Sequence, residues 1–327
     1  MTTRIRMLVS LFAVTALMCG SLARAADFPS KPITIIVPFS AGGPTDTVAR
    51  LLGQAMGADL KQTMLVENVA GAGGTVGAGR AARSDPDGHT LFLHHIGMST
   101  APALYRKLPY NPIEDFAPIG LVTDVPMTIV ARGNFPAKDL KELIAYVKEN
   151  KAKVTYANAG LGAASHLCGM LFMTAIDTDL TTVPYKGTGP AMNDLLGGKV
   201  DFMCDQTTNT TGQIKAGKIK VYTVTSKKRV PSLPDVPTAS EAGLPNFEVG
   251  IWHGLWAPKG TPKPVVDRLV AALKVALKDA TLKQRFADLG TEPVADNLAT
   301  PDALQAHLKA QTAVWAPIIK KAGAFAD

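Results

Sequence analysis

One unit recurs along this chain and limits its possible folds more than any other feature: an apolar strand, a glycine turn, then an amphipathic helix. The first copy is the clearest. Ile33 to Phe39 reads ITIIVPF, a continuous apolar run of the kind that sits in a sheet covered on both faces. The turn Ser40-Ala41-Gly42-Gly43-Pro44-Thr45-Asp46 follows, and Val48, Leu51, Leu52 and Met56 then fall on one helical face. A turn of this type aims unpaired N–H groups, and the positive end of the helix dipole, at open space. Gly42 and Gly43 lack a Cβ, so an anion can approach the chain closely.

Three further turns precede helices: Gly71-Ala72-Gly73-Gly74-Thr75, Asn158-Ala159-Gly160-Leu161-Gly162, and Tyr185-Lys186-Gly187-Thr188-Gly189-Pro190. The Asn158 to Gly162 turn, third of the four, leads into a helix carrying Ser165 and His166. Two turns lie in each half of the chain. Ligands of open α/β sheets bind beyond the carboxyl ends of strands. Two halves facing one another would therefore bring four sets of N–H donors and hydroxyls to one cleft, which can hold a carboxylate without an arginine.

The same alternation continues for most of the length. Strands are expected at 33–39, 63–68, 90–95, 117–123, 126–131, 153–158, 180–184, 200–204, 219–225 and 250–257. Helices are expected at 45–60, 74–83, 99–105, 138–150, 163–175, 189–197, 210–216, 263–278, 280–288 and 301–321. The pattern predicts α/β architecture with mostly parallel sheets. It divides into a lobe of residues 26–123 plus about 230–327 and a lobe of residues 124–229. The proline-rich stretch from Lys227 to Pro245 reads as a surface connection back. A hinge is expected near 123–126 and 225–230, with 246–250 as a further candidate.

Residues 1–25 read as a secretory signal: Arg4 and Arg6, an apolar run from Met7 to Met18, and Ala23-Arg24-Ala25 before the cut. The run is too short to span a bilayer. Cleavage removes three arginines and no acid, taking the formal net charge from +7 to about +4. No basic run of five or more residues occurs and aromatics are sparse, which argues against nucleic-acid binding. The expected product is a soluble periplasmic monomer. Its two remaining cysteines, Cys168 and Cys204, sit in an oxidising compartment and are candidates for a disulfide, with two buried thiols as the other reading.

Single residues near the turns read less plainly. Asp46 suits a helix cap better than a ligand contact. His94 and His95 end a strand at the expected rim, where alternation points only one of them inward. Ser99 and Thr100 could donate hydroxyls or cap a helix. His166 reads as structural. Asp205 ends a strand, and its charge would repel an anion unless it meets an ammonium or a ring N–H. Trp252, His253 and Trp256 suit the core better than an aromatic wall.

Enzyme signatures fail on inspection. Gly71-Ala72-Gly73 lacks the third glycine of a dinucleotide turn, because Val76 stands there. No G-x-S-x-G surrounds a serine, no C-x-x-C occurs, and cysteines and histidines lack zinc-ligand spacing. No cofactor and no metal is expected.

Taken together, the motifs resemble the Bug-type extracytoplasmic solute receptors of tripartite tricarboxylate transporters. The resemblance covers nearly all the mature chain. It rests on Pro38 to Asp46, Val66-Glu67-Asn68 with Gly71 and Gly73-Gly74, Pro86-Asp87-Gly88-His89-Thr90, and Gly160 to His166. It continues through Pro184-Tyr185-Lys186-Gly187, Gly198-Lys199-Val200-Asp201, Val236-Pro237-Thr238 with Glu241-Ala242-Gly243, and Ala257 to Pro262. The resemblance implies two α/β lobes of the type II periplasmic-binding-protein class closing on a dicarboxylate, acidic amino acid or aromatic acid. By position it puts one carboxylate on the Ser40 to Thr45 turn, partly through water, and draws the other lobe's donors from 160–165 and 186–189. It also implies handover to two membrane subunits of a transporter. The expected binding set is Phe39, Ser40, Ala41, Gly42, Gly43, Thr45, Gly73, His95, Ser99, Gly160, Gly162, Ser165, Lys186, Gly187, Thr188 and Asp205. A ligand sensor feeding a membrane signalling protein, or a secreted α/β enzyme, are the alternatives.

Overall fold

A computed structural model describes residues 28–322 of the chain. The signal segment with its cleavage point lies outside the described residues. Strand β1 (Ile33–Val37) leads through the first glycine turn into helix α1 (Pro44–Leu60). β2 (Met64–Asn68), α2 (Thr75–Ala82), β3 (Thr90–His95) and α3 (Gly97–Leu104) follow. β1 pairs with β2 and β3 in parallel, the arrangement that a helix crossover between strands produces.

A single strand, β4 (Phe116–Arg132), then runs for 17 residues where the sequence suggests two strands. Its first part pairs with β9 (Gly250–Pro258) in the first sheet, and its last part lies between β7 (Phe202–Gln206) and β8 (Ile219–Val224) in the second. Pro126 does not end it, because proline removes only one ladder donor and the register simply hands over there from β9 to β7 and β8.

The second sheet is completed by β5 (Thr155–Asn158) and β6 (Thr181–Pro184), again parallel to their neighbours. Helices α4 (Leu140–Glu149), α5 (Ala164–Ala175), α6 (Thr188–Leu196) and α7 (Thr207–Lys215) cover it. The chain returns to the first sheet through β9, then adds α8 (Lys263–Lys278), α9 (Ala280–Asp288), the two-residue β10 (Glu292–Pro293) and α10 (Pro301–Ala322).

The expectation of mostly parallel sheets needs correction. The pairs β3·β9, β9·β4, β4·β7, β4·β8 and β10·β4 are all antiparallel. Strands that carry the chain between two sheets enter each one from the end opposite to a βαβ crossover, so they run against their neighbours. Periodicity reports burial, not direction, and β4 and β9 are as apolar as any parallel strand.

Three segments meet where the sheets join. Thr225 hydroxyl accepts from Met127 N–H at 2.9 Å and donates to the Val249 carbonyl at 2.6 Å. Its own N–H donates to the Met127 carbonyl at 2.8 Å. Helix α10 packs across α3 and β4, with Leu304, Leu308 and Ile319 fully buried. In the second sheet a disulfide joins Cys168 on α5 to Cys204 on β7, with Cα atoms 6.1 Å apart and both residues buried.

Candidate functional site

The glycine turns meet face to face. Ser40 N–H donates to the Lys186 carbonyl at 3.0 Å, and Ser40 Oγ reaches the same oxygen at 3.2 Å. Tyr105 hydroxyl lies 2.8 Å from the Ala72 carbonyl and 3.1 Å from the Leu161 carbonyl, bridging the second and third turns. A Cβ on Gly189 would lie 2.8 Å from Ala41 O and 3.1 Å from Gly43 N, so the first and fourth turns are in backbone contact. A Cβ on Gly73 would collide with the Leu161 carbonyl. Glycine is required at these positions for close approach of the two chains.

Behind this contact lies a narrow chamber lined by Phe39, Pro44, Thr45, His95, Ala159, Ala163, Ala164, Ser165, Thr188, Asp205 and Gln206. Four helix starts converge there: α1 through Pro44 and Thr45, α5 through Ala164 and Ser165, α6 through Thr188, and α7 through its preceding residue Gln206. None of the four has a side-chain cap, whereas the surface helices α4 and α9 are capped by Asp139 and Asp279. First-turn N–H groups are thus left for another acceptor, and four positive dipole ends point at one volume. Among the described residues, no lysine or arginine lines the chamber. Its free volume is ≈ 20 Å³, room for about one water. A larger cavity of ≈ 620 Å³ lies outside, at the mouth, lined by Ser40, Gly73, Tyr105, Gly160, Tyr185 and Lys186 among others. The mouth is the wider space, but of the two only the inner chamber is lined, among the described residues, by buried side chains without a partner, Thr188 and Gln206.

The inner wall is built from buried polar groups. Thr45 hydroxyl lies 3.4 Å from His253 Nε2, and His253 Nδ1 lies 3.2 Å from the Ile251 carbonyl. His95 stacks on Phe39 with centroids 4.8 Å apart and accepts from Gly97 N–H through Nδ1. Burial drives the protons off all three histidines: His94 titrates at about 3, His253 at about 4, and His95 well below the ordinary value, helped by its histidine neighbours. All three are neutral, and His95 is the one that lines the chamber. Ser165 Oγ accepts from Ala159 N–H at 2.8 Å and fixes the third turn. Gln206 Oε1 has no partner, and Thr188 Oγ1 makes no bond of good geometry, though it lies close enough to Asp205 to favour its charge.

Asp205 carries the chamber's one carboxyl. Burial pushes it up to about 6, against the hydrogen bonds from Asn209 and the Gln206 N–H and the nearby Thr188 hydroxyl, which favour its ionised form. Folding therefore takes up a proton between the ordinary carboxylate range and pH about 6. That contribution is fully present below the unfolded value and is lost as pH rises through about 6. Asp205→Asn should accordingly gain stability relative to the parent above pH 6 and none near pH 4. Urea unfolding at the two pH values reads this, and an equal effect at both would refute it.

The sequence-predicted residues divide into three groups. Phe39, Thr45, His95, Ser165, Thr188 and Asp205 line the chamber. Ser40, Gly73, Gly160 and Lys186 line the mouth, while Ala41, Gly42, Gly43, Gly187 and Gly162 shape the contacting turns. Ser99 belongs to none of them: its hydroxyl is spent on the carbonyl of Ile96, the residue before α3, at 2.7 Å. Two donors of the first turn are also spent, Ser40 N–H on Lys186 and Gly42 N–H on Asp46. Asp46 is not the cap residue itself. It sits in the first turn of α1 and accepts from Gly42 N–H behind it, from Arg50 one turn ahead and from Asn68 on β2. Burial opposes its charge, but those bonds outweigh it and hold the carboxyl below its ordinary range.

Sequence reasoning missed Gln206 and the α7 start, because it began that helix at 210. Thr207, Thr208 and Asn209 are weak helix formers and hide the true boundary. The second turn, conversely, opens on the mouth and not the chamber.

Two sheets with ligand-ready helix starts between them define a solute-binding receptor of the periplasmic class, and the comparisons agree. The model of the tripartite tricarboxylate transporter family receptors matches residues 48–324, and the chain belongs to that family, as a Bug-type receptor. A structure described as the periplasmic binding protein BugD is 57% identical, with a TM-score of 0.89, covering 91% of this chain and 99% of that one. MatC from Rhodopseudomonas palustris, solved with bound malate, is 43% identical with a TM-score of 0.86, covering 89% of this chain and 100% of that one. Another R. palustris protein, solved with adipate, is 32% identical with a TM-score of 0.86, covering 91% and 99%. The family and these neighbours are solute-binding receptors and not enzymes.

Proposed function

We propose that this receptor captures a small organic dicarboxylate, or an acidic amino acid, in the chamber and delivers it to the membrane subunits of a tripartite transporter. The observation that carries the reading is the convergence of four uncapped helix starts on a volume lined by no cation. Such an arrangement stabilises a carboxylate through N–H groups and dipoles alone. The malate and adipate found in its relatives are ligands of that class. On this reading Thr45, Ser165 and Thr188 hold the ligand and the glycine turns seal it in.

The lobes of this reading are residues 26–123 with about 230–327, and residues 124–229. The chamber is too small for a four-carbon acid to enter without the turns separating. Opening is a bend where β4 passes between the sheets and where Thr225 and Val249 lie beside it. The export signal would deliver the protein to the periplasm as a monomer.

A thermal-shift series over organic acids tests the reading. A ligand held at 100 times its dissociation constant should stabilise the fold by about 2.7 kcal/mol. Small-angle scattering on the same samples should show a smaller radius of gyration with the bound acid. If no acid at millimolar concentration shifts the unfolding curve, the chamber is not a carboxylate site.

A further inference from the structure

Two hydroxyls on the first-sheet side reach across to consecutive carbonyls of the third turn. Tyr105, the residue after α3, lies 3.1 Å from the Leu161 carbonyl, and Thr100, inside α3, lies 3.3 Å from the Gly162 carbonyl. Each also has an acceptor on its own side: the Ala72 carbonyl for Tyr105 at 2.8 Å, and the Gly97 carbonyl for Thr100 at 3.4 Å. A hydroxyl carries one proton, so each pair of acceptors shares a single donor. The Ala72 carbonyl is already served by the Thr75 hydroxyl at 3.0 Å and by the Thr75 N–H. The fit is close, since a Cβ on Gly162 would lie 2.8 Å from Leu104 Cδ1 and one on Gly73 would lie 3.0 Å from the Tyr105 oxygen. Neither Tyr105 nor Thr100 lines the chamber.

We infer that Tyr105 and Thr100 form a lock that holds the turns shut without help from the ligand, each hydroxyl giving its proton to an own-side carbonyl when the receptor is open and to the third turn when it is closed. The inference rests on the opening motion proposed above and adds the side chains that set its balance. Both cross-links join protein to protein, so they act whether the chamber is filled or not. Opening strands no donor, because Ala72 or Gly97 accepts in place of the third turn. The Leu161 and Gly162 carbonyls gain water as the turns part. Exchange of one hydrogen bond for another carries a small net free energy, so the lock is readily reversed, as release of ligand requires. Tyr105 and Thr100 are therefore positioning residues. They set the share of closed receptor, and with it apparent affinity and dwell time, but not which acid is preferred.

The first and fourth turns are joined differently. Ser40 presents its N–H and its Oγ to the same Lys186 oxygen, so the backbone alone can keep that bond. At the third turn both cross-links come from side chains, and substitution can remove them singly. Tyr105→Phe deletes one oxygen and leaves the ring. Thr100→Val puts a methyl group of similar size where the hydroxyl stood, at a position that is fully buried. Thr100→Ser keeps the hydroxyl and serves as the conservative variant.

Calorimetry and stopped-flow binding with malate and adipate test the inference. Tyr105→Phe and Thr100→Val should each weaken binding by about 2- to 10-fold, the range for one neutral hydrogen bond, and by the same factor for both acids. The loss should appear in the dissociation rate, with the association rate unchanged or raised. Thr100→Ser should keep parental affinity. A second arm needs no ligand. Spin labels on Leu65→Cys and Leu196→Cys, at exposed sites on the two sides of the cleft, report the distance between the sheets. Ligand-free Tyr105→Phe should show a smaller share of the short, closed distance than its labelled parent. A loss confined to one acid would mean that the hydroxyls touch the ligand, and overturns the inference. Parental affinity together with a parental share of closed receptor overturns it as well. If neither acid binds the parent protein, the carboxylate reading fails for these acids and the label distances alone decide the lock, equal shares in variant and parent overturning it. Tyr105→Phe suffices if Thr100→Val folds poorly.

Discussion

Gly189→Val should fold normally and lose most of its affinity for ligand. Gly189 lies in the first turn of α6 with ordinary helical backbone, so a side chain there costs the second sheet nothing and raises helix propensity slightly. What the new Cβ meets belongs to the other turn: Ala41 O at 2.8 Å, Gly42 C at 3.0 Å and Gly43 N at 3.1 Å. These are backbone atoms that cannot swing aside. Overpacking of this kind costs about 1–3 kcal/mol, and here the cost falls only on the closed state. Apparent affinity should drop by up to about 100-fold, because the binding-competent population falls by that factor. Scattering should show no compaction at ligand concentrations that close the parent protein. Gly212→Ala is the control, since its Cβ would meet nothing within 4 Å. Full compaction and parental affinity in Gly189→Val would mean that the turns need not touch for ligand to be held.

Removing the Cys168–Cys204 disulfide should produce the largest loss of stability. The bond closes a loop with a sequence separation of 36, for which the chain-entropy relation gives about 4 kcal/mol. For a protein of this size that corresponds to a fall in Tm of roughly 6 °C. The bridge also ties α5, whose first turn lines the chamber, to β7, which carries Asp205 one residue beyond Cys204. A Cys168→Ala, Cys204→Ala double variant should therefore lose some affinity as well as Tm. Alkylation of native exported protein should leave both cysteines unmodified until reductant is added. Two thiols that react freely without reductant would exclude the bridge.

Most of what the sequence yields about this protein is local. The strand, turn and helix at Ile33 to Leu60 are legible because apolar continuity, Gly42-Gly43 and a periodic helix face each act within a few residues. The uncapped character of the helix starts is partly legible too, since glycine or alanine stands where serine or aspartate would cap. What the sequence does not yield is direction and convergence. Nothing in IWHGLWAP marks β9 as antiparallel, because burial on both faces looks the same either way. His95 and His253 lie on neighbouring strands in register, a relation that only pairing creates. Ser99 looks as available as Ser165, yet a short local bond consumes one and the other shapes the third turn. Asp46 could be read as bound to its helix start, but not that Asn68 and Arg50 would share it.

The junction at Thr225 bears on what happens if the chain is cut. Beyond β4, the chain passes between the sheets through a long excursion that leaves at Thr225 and comes back at Val249, both fastened beside Met127. The excursion is itself anchored, with Val230, Leu233 and Val236 packed together and Thr238 bridged to Val224. A protease nick in its exposed tip, at Glu241 for example, would therefore leave two fragments that remain one particle. β4 still threads both sheets intact, and each new end stays tied down a few residues from the break. Such a nicked receptor should migrate as a single species until denatured, and its two pieces should part only when the ladder along β4 itself is lost.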